Sequence, residues 1–260
     1  LADEDGISGN EFTYQWFRDG TTISGATSST YTLVQDDVLA NIAVNVGYID
    51  DHGNAHDVSS AETSAIVNVN DPPGGPGVTL KLIGTTISND ISSSILEDAS
   101  LNLIFDITDE DGIDTSTYTY EWWRQGSDGN AHKKSNATST EYTLTHGDVG
   151  GYMYAVVYYD DNFGNSHDVS SALTPIVLNV DDSYSGTIEI CGNLIEDETI
   201  YIINTLEDED GINTASFQYQ WKWGSHPVQR GDDKPIIGAT SDTYTLPQAY
   251  VGKYIALDVS

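Results

Sequence analysis

Hydrophobic and polar positions alternate with a period of two over most of this chain. Val78-Thr79-Leu80-Lys81-Leu82-Ile83 alternates, as do Leu101-Asn102-Leu103-Ile104-Phe105-Asp106-Ile107 and Tyr118-Thr119-Tyr120-Glu121-Trp122. Tyr142-Thr143-Leu144, the run from Tyr152 to Tyr159 and the run from Ile176 to Val180 continue the series. β-Branched and aromatic residues fill the apolar positions, and Gly, Asn, Asp and Ser break the runs, which is the signature of antiparallel strands. No segment holds a helical period over three turns. The pattern predicts strands over 78–84, 101–107, 117–124, 141–145, 151–160 and 168–180, lettered A, B, C, E, F and G. Short strands at this spacing predict an all-β sandwich.

The pattern is stated three times. Asp3-Glu4-Asp5-Gly6-Ile7 returns as Asp109-Glu110-Asp111-Gly112-Ile113 and as Asp208-Glu209-Asp210-Gly211-Ile212. Each copy is followed by a tyrosine two residues before a tryptophan (Tyr14 and Trp16, Tyr120 and Trp122, Tyr219 and Trp221) and then by Tyr-Thr-Leu at Tyr31, Tyr142 and Tyr244. The tryptophans are 106 and 99 residues apart, which is one domain per repeat and far longer than a solenoid unit. The expected division is 1–71, the C-terminal part of a repeat; 72–182, a complete repeat; and 183–260, the N-terminal part of a third. Both end segments are expected to be incomplete unless neighbouring sequence completes them. Whole domains in tandem usually make a rod. The linkers, Asn68 to Pro73 and Asn179 to Asp182, are short enough to restrict bending, and Gly74-Gly75-Pro76-Gly77 is expected to loosen the entry to the second unit.

Two marks refine the sandwich. The strand-C tryptophan should fill the space between two sheets. Asp148-Val149-Gly150-Gly151-Tyr152 resembles the Asp-x-Gly-x-Tyr corner of immunoglobulin domains, in which the tyrosine hydroxyl ties back to backbone. Asn41 stands at the tyrosine position in the first copy and Tyr250 at the aspartate position in the third. The cysteine expected two residues later is Tyr154, Ala43 or Ala256, so apolar packing should replace an inter-sheet disulfide. Cys191 is the chain's single cysteine and is expected as a buried, inert thiol in a strand.

Further residues carry a family resemblance. Ile23-Ser24-Gly25-Ala26-Thr27-Ser28-Ser29-Thr30-Tyr31-Thr32-Leu33, then Asp37-Val38, then Tyr48-Ile49-Asp50-Asp51 with Gly53, recur with small changes at Ala137 to Leu144 and at Ile237 to Leu246. Over the whole chain they resemble the Ig-like tandem extender repeats of giant bacterial RTX-type, type I-secreted surface adhesins. The resemblance implies stiff, cysteine-poor, calcium-binding spacers at the cell surface. The Gly-Gly-x-Gly-x-Asp nonapeptides of a calcium β-roll are absent from the sequence.

Charge sharpens that expectation. The 260 residues hold 9 Lys and Arg against 41 Asp and Glu, a formal net charge of −32. Such a surface repels nucleic acid and anionic lipid and suits cations or a basic partner. No stretch approaches the roughly 18 apolar residues of a membrane span. With sandwich connectivity, the B–C and F–G loops lie at the end where the linker arrives. Asp109 and Asp111 are in the B–C loop, Asp160 and Asp161 open the F–G loop, and the linker brings Asn68, Asn70 and Asp71. The A–B turn of the second unit offers Glu97 and Asp98 to Asp181, Asp182, Asp208 and Asp210 of the next junction. Calcium takes six to eight oxygens from such groups. Carboxylates a few ångströms apart repel by roughly 1 kcal/mol per pair in water, and an ion converts that repulsion into a clamp between neighbouring repeats.

Enzyme chemistry finds no support in the sequence. His56-Asp57-Val58-Ser59-Ser60 recurs as His167-Asp168-Val169-Ser170-Ser171. Adjacent strand residues face opposite ways, so the pair reads as a cross-strand structural contact. There is no phosphate loop and no zinc cluster at recognisable spacing. Seven basic residues, Arg18, Arg124, Lys133, Lys134, Lys222, Arg230 and Lys234, fall in or beside the C–E segments, whose lengths vary. They offer a docking surface for other copies of the chain in a filament or layer. Trp123, Trp223 and Tyr159 offer a platform for a glycan or protein receptor.

Overall fold

The computed structural model describes residues 2–7, 12–83, 94–226 and 233–260. Its strands are β1 (Thr13–Arg18), β2 (Thr21–Thr22), β3 (Ile42–Ile49), β4 (Ala55–Ser59), β5 (Gly74–Leu82), β6 (Ile95–Leu96), β7 (Ser100–Thr108), β8 (Ile113–Gln125), β9 (Ala131–Lys133) and β10 (Glu141–Thr143). They continue with β11 (Tyr152–Asp161), β12 (Ser166–Ser170), β13 (Val177–Leu178), β14 (Ile188–Cys191), β15 (Thr199–Asn204), β16 (Tyr219–Gly224), β17 (Lys234–Pro235), β18 (Thr243–Thr245) and β19 (Tyr254–Val259). The expected all-β class holds. Residues 1–93, 100–142 and 151–175 cluster as one compact unit, and 94–99, 143–150 and 176–260 as a second.

In the first unit, the sheet β2-β1-β3-β4 carries the first copy of the repeat, and the sheets β10-β7-β5 and β12-β11-β8-β9 carry most of the second. The alternation read from the sequence sets the core: Leu101 and Leu103 of β7, Trp122 of β8, and Met153, Ala155, Val157 and Tyr159 of β11 are buried. Trp122 stacks on Tyr142 across the two sheets at 5.4 Å and donates from Nε1 to the Ser139 carbonyl at 2.8 Å. That bond satisfies the one polar atom a buried tryptophan carries. In the second unit, β14-β15-β18 faces β17-β16-β19, and Ile200, Trp221, Ile236, Ala239 and Leu246 form the core. Trp221 repeats the arrangement, stacked on Tyr244 at 5.8 Å with Nε1 bonded to the Ser241 carbonyl at 2.8 Å.

Several expectations change. Strand G, expected unbroken over 168–180, is two strands: β12 pairs with β11, and β13 runs parallel to β6, Val177 opposite Ile95. The crossing is tied by hydroxyls, since Ser171 Oγ accepts the Ala155 N–H and the buried Thr174 Oγ1 accepts the Met153 N–H. Gly74-Gly75-Pro76-Gly77 is not loose but opens β5, which pairs with β7 through a register shift. Gly75 has φ 85°, and a Cβ there would sit 2.7 Å from the Asp106 carbonyl, so only glycine fits the bulge. Tyr152 and Tyr154 lie half-buried on the outer face, while Met153 and Ala155 turn inward, one residue out of step with the immunoglobulin corner. In the first copy the buried corner aspartate, Asp37, instead accepts the hydroxyl of Tyr31 at 2.9 Å. Cys191 is half-buried, because β14 is an edge strand.

The repeated His-Asp-Val-Ser-Ser segment has a structural explanation. His56 stacks on Tyr48, and His167 on Tyr159, each pair 5.2 Å apart across the ladder. Ser60 and Ser171 accept backbone N–H groups of the neighbouring strand.

Candidate functional site

All three acidic motifs fold into the same turn. The first aspartate accepts the N–H of the second at 2.9 Å, in Asp3 and Asp5, Asp109 and Asp111, and Asp208 and Asp210. This is the Asx turn that short acidic side chains favour. The following glycine, Gly112, takes φ 79°, and a Cβ on it would collide with the Asn162 amide. The motif is therefore a preset support for its second aspartate, which in Asp111 is buried.

In the first unit, Asp111 receives the linker. Its Oδ2 accepts the Asp71 N–H at 2.9 Å, and its Oδ1 accepts Gln35 Nε2 at 2.9 Å, which also reaches Asn68 Oδ1 at 3.4 Å. Behind it, Asp109 Oδ2 accepts the Tyr159 hydroxyl at 2.6 Å. His167 Nε2 stands 3.8 Å from that oxygen and 3.5 Å from Asp161 Oδ2. Asp161 caps its own loop, accepting the Phe163 and Asn165 N–H groups and the Asn165 amide. Burial raises its pKa, but those hydrogen bonds outweigh burial and hold the carboxyl down at about 2. Burial and the bond to Asp109 push the Tyr159 phenol far above its usual range.

In the second unit, Asp210 occupies the place of Asp111. Its Oδ2 accepts the linker N–H of Asp182 at 3.1 Å. Glu97 is buried and accepts the Val180 N–H on Oε1 at 2.7 Å. His146 Nδ1 lies 3.3 Å from Glu97 Oε2 and 3.6 Å from Asp210 Oδ1. These three ligand atoms lie within 4.8 Å of one another. Burial, then the charges of Asp98, Glu97, Asp210 and Asp208, raise the Asp182 pKa, whereas the Asp182 N–H, then the Asn179 amide, lower that of Asp210.

Of the residues singled out from sequence, Asp71, Asp109, Asp111 and Asp161 gather in the first unit, and Glu97, Asp98, Asp182, Asp208 and Asp210 in the second. Asp160 turns to the other face of β11, where its Oδ1 accepts the Ser166 hydroxyl, because alternate strand residues diverge. Asn70 and Asp181 are exposed. Tyr159, expected as a receptor platform, is 2% exposed and locked to Asp109. Trp123 stacks on Tyr154, and Trp223 lies beneath Lys234 and Lys253. Arg18 pairs with Asp37, Lys133 with Glu121 and Lys222 with Asp258, so these cations of the expected docking surface are used within the chain. Arg230 lies outside the described residues.

Sequence reasoning missed Gln35 and His146. They hold equivalent places, since Val34-Gln35-Asp36-Asp37 aligns with Thr145-His146-Gly147-Asp148. The available signal was their position two residues before the corner aspartate, at the end of the sandwich facing the next linker.

The donor chemistry suits a cation at both places. In the second, Asp210 Oδ1 and His146 Nδ1 are buried with no hydrogen-bond partner. In the first, the carboxylate oxygens already accept N–H and O–H groups, and each keeps a second lone pair for an ion.

No family model and no curated protein matches the chain. Solved structures similar to it include adhesion proteins, two of them bacterial. A Ca2+-stabilized adhesin with which an Antarctic bacterium reaches out and binds ice is 14% identical, with a TM-score of 0.27, over 95% of this chain and 56% of that one. A 1.5-MDa bacterial ice-binding adhesin is 13% identical, with a TM-score of 0.26, over 95% of this chain and 74% of that one. A tetra-tandem repeat from the extending region of a large adhesion protein is 17% identical, with a TM-score of 0.23, over 97% of this chain and 59% of that one. The chain thus spans little more than half the length of the first and third. Scores of this size establish no shared arrangement across the whole chain. Among the described residues, no helix is long and apolar enough to cross a membrane.

Proposed function

We propose that this chain is an extracellular spacer from a bacterial surface adhesin, built of tandem Ig-like sandwiches whose junctions are stiffened by calcium. Residues 1–71, 72–182 and 183–260 are the three successive repeats, the middle one complete. The observation that carries the reading is one contact made twice. A linker N–H, of Asp71 or of Asp182, donates to the second aspartate of the Asp-Glu-Asp-Gly motif that follows it. A linker held directly against the acidic end of the next repeat is what a stiff joint requires, and a flexible tether has no need of it. The upward push on Asp182, from burial first and then from four neighbouring carboxylates, is in keeping with a cation at the same place. Asp71, Asp109, Asp111 and Asp161 are the proposed oxygen donors of the first junction, and Glu97, Asp98, Asp182, Asp208 and Asp210 those of the second; Asp160, turned to the other face of β11, is not among them. When bound, calcium supplies charge neutralisation and a fixed geometry, and no reaction is involved. The structural use of His167 and Ser171 also argues for a role without catalysis.

The test is small-angle scattering and thermal melting of the chain with calcium and with EDTA, followed by limited proteolysis. Chelation is expected to shorten the maximum dimension, lower the melting temperature and open cleavage at 71–77 and 181–185. An unchanged dimension together with an unchanged melting temperature would overturn the proposal.

A further inference from the structure

The two linker clusters share a plan, but Glu97 belongs to the second alone and one equivalent position differs between them. Where the first places Gln35, the second places His146. The Gln35 amide closes its cluster by donating to Asp111 Oδ1 at 2.9 Å. The second has no such amide at the equivalent place. Asp210 Oδ1, the equivalent oxygen, is buried without a hydrogen-bond partner, and so is His146 Nδ1, which faces it at 3.6 Å. Glu97 Oε2 completes the triangle at 3.3 Å from the same nitrogen, on a side chain that is 1% exposed. In the tautomer that leaves Nδ1 without a proton, the imidazole nitrogen and the two carboxylate oxygens all present lone pairs to one another, and the two atoms that face each other across Asp210 and His146 are shut off from solvent. A cation between them removes the repulsion and satisfies both orphaned atoms.

The ligand types identify the cation's class. Calcium is a hard ion bound through oxygen. Imidazole nitrogen with carboxylate oxygens suits a borderline divalent ion such as Zn2+. Ligands about 2.0–2.1 Å from a tetrahedral zinc lie about 3.4 Å from one another, close to the spacings His146 makes with Glu97 and Asp210. Three protein ligands leave a fourth position, for water or for a neighbouring carboxylate such as Asp208 or Asp182.

We propose that Glu97, His146 and Asp210 form a nitrogen-containing metal site that prefers Zn2+-class ions to Ca2+, so that the two junctions answer to different metals. This rests on the reading that cations occupy the linker ends, and it assigns one of them a different ion. The deciding variant is His146→Gln, which installs the side chain the first copy uses at the same place and should therefore fold. Co2+ serves as the visible-absorbance probe, and Zn2+ alone is titrated by calorimetry. The wild-type chain is expected to bind one Co2+ with the intense visible bands of low-coordinate nitrogen ligation and to release it to Zn2+. His146→Gln is expected to lose those bands and at least tenfold in Zn2+ affinity, while its calcium-dependent rise in melting temperature persists. Glu97→Gln should weaken Zn2+ in the same direction. Equal Zn2+ affinity in wild type and His146→Gln, or no Co2+ bands in wild type, overturns the assignment and leaves the calcium reading standing. Loss of the calcium response in the wild-type chain itself overturns the calcium reading.

Discussion

Arg18 shows how one position can be solved twice. Its guanidinium lies 2.7 Å from Asp37 Oδ1, on a carboxylate that is fully buried and also accepts the Val34 N–H. At the matching positions of the third copy stand Trp223 and Tyr250, their rings 6.0 Å apart. A buried ion pair loses much of its Coulomb gain to desolvation, so well-packed apolar groups can replace both partners together at little cost, whereas removing one partner strands a charge. The two copies are therefore two end points of one coupled change. Asp50 is a simpler case. The Asn54 amide, then the Asn54 N–H, then His56 and the His52 N–H hold its carboxyl well below its ordinary value of 3.8. The folded state thus binds fewer protons at this site than the unfolded chain, and the stabilisation is present above 3.8 and lost as pH falls through the depressed folded value. Melting temperature measured from neutral pH down into this acid range should fall for the wild type. In Asp50→Asn it should start lower and fall less, and parallel curves for the two would contradict the assignment.

At the scale of elements, burial follows the alternation along most strands, with Val156 of β11 buried between two inward residues as an exception. Val177 of β13 is 1% exposed against Ile95, while its neighbour Leu178 is 42% exposed. Val177→Ala should cost about 2 kcal/mol, and Leu178→Ala should stay within about 0.5 kcal/mol. Denaturant unfolding of both variants checks this, and equal costs would mean that β13 does not seal the core. The same strand marks the limit of what could be read from the chain. Period-two alternation located β7, β8 and β11 and identified Trp122 as central, because a one-residue slip there would expose the whole apolar set. It could not reveal that one alternating run changes sheets between Ser170 and Val177, since alternation records faces and not partners. The likeness to the immunoglobulin corner, not the alternation, put Tyr154 at a core position, whereas the inward set is Met153, Ala155 and Val157. Carboxylates were legible as a class because the motif recurs. Gln35 and His146 were not, because their importance comes from meeting a residue 76 or 64 positions away, a distance no local pattern encodes.

For the whole molecule, the governing quantity is a formal net charge of −32 spread over 260 residues. Self-repulsion on that scale destabilises any compact state and is relieved by any salt, so a gain in stability on adding calcium does not by itself identify a site. Screening depends on ionic strength, whereas ligation depends on the identity of the ion, and the two separate when ionic strength is held constant. With dissociation constants of about 10⁻⁴–10⁻³ M, as extracellular modules show, about 10 mM Ca2+ adds roughly 1.4 to 2.7 kcal/mol for each occupied site. For a chain of this size that is a rise of several degrees in melting temperature. Mg2+ carries the same charge but gives up its water reluctantly and demands a tighter octahedron, so it should produce a smaller rise at the same concentration. NaCl at matched ionic strength should produce none beyond the screening already present. If the three salts raise the melting temperature equally, the acidic ends are a solvated surface, and the linkers are held by hydrogen bonds such as those of Asp71, Val180 and Asp182 without an ion. If Ca2+ stands apart from both, the carboxylates of neighbouring repeats are acting together as ligands, and the repulsion among them in the ion-free chain is what would let the joint loosen when calcium is withdrawn.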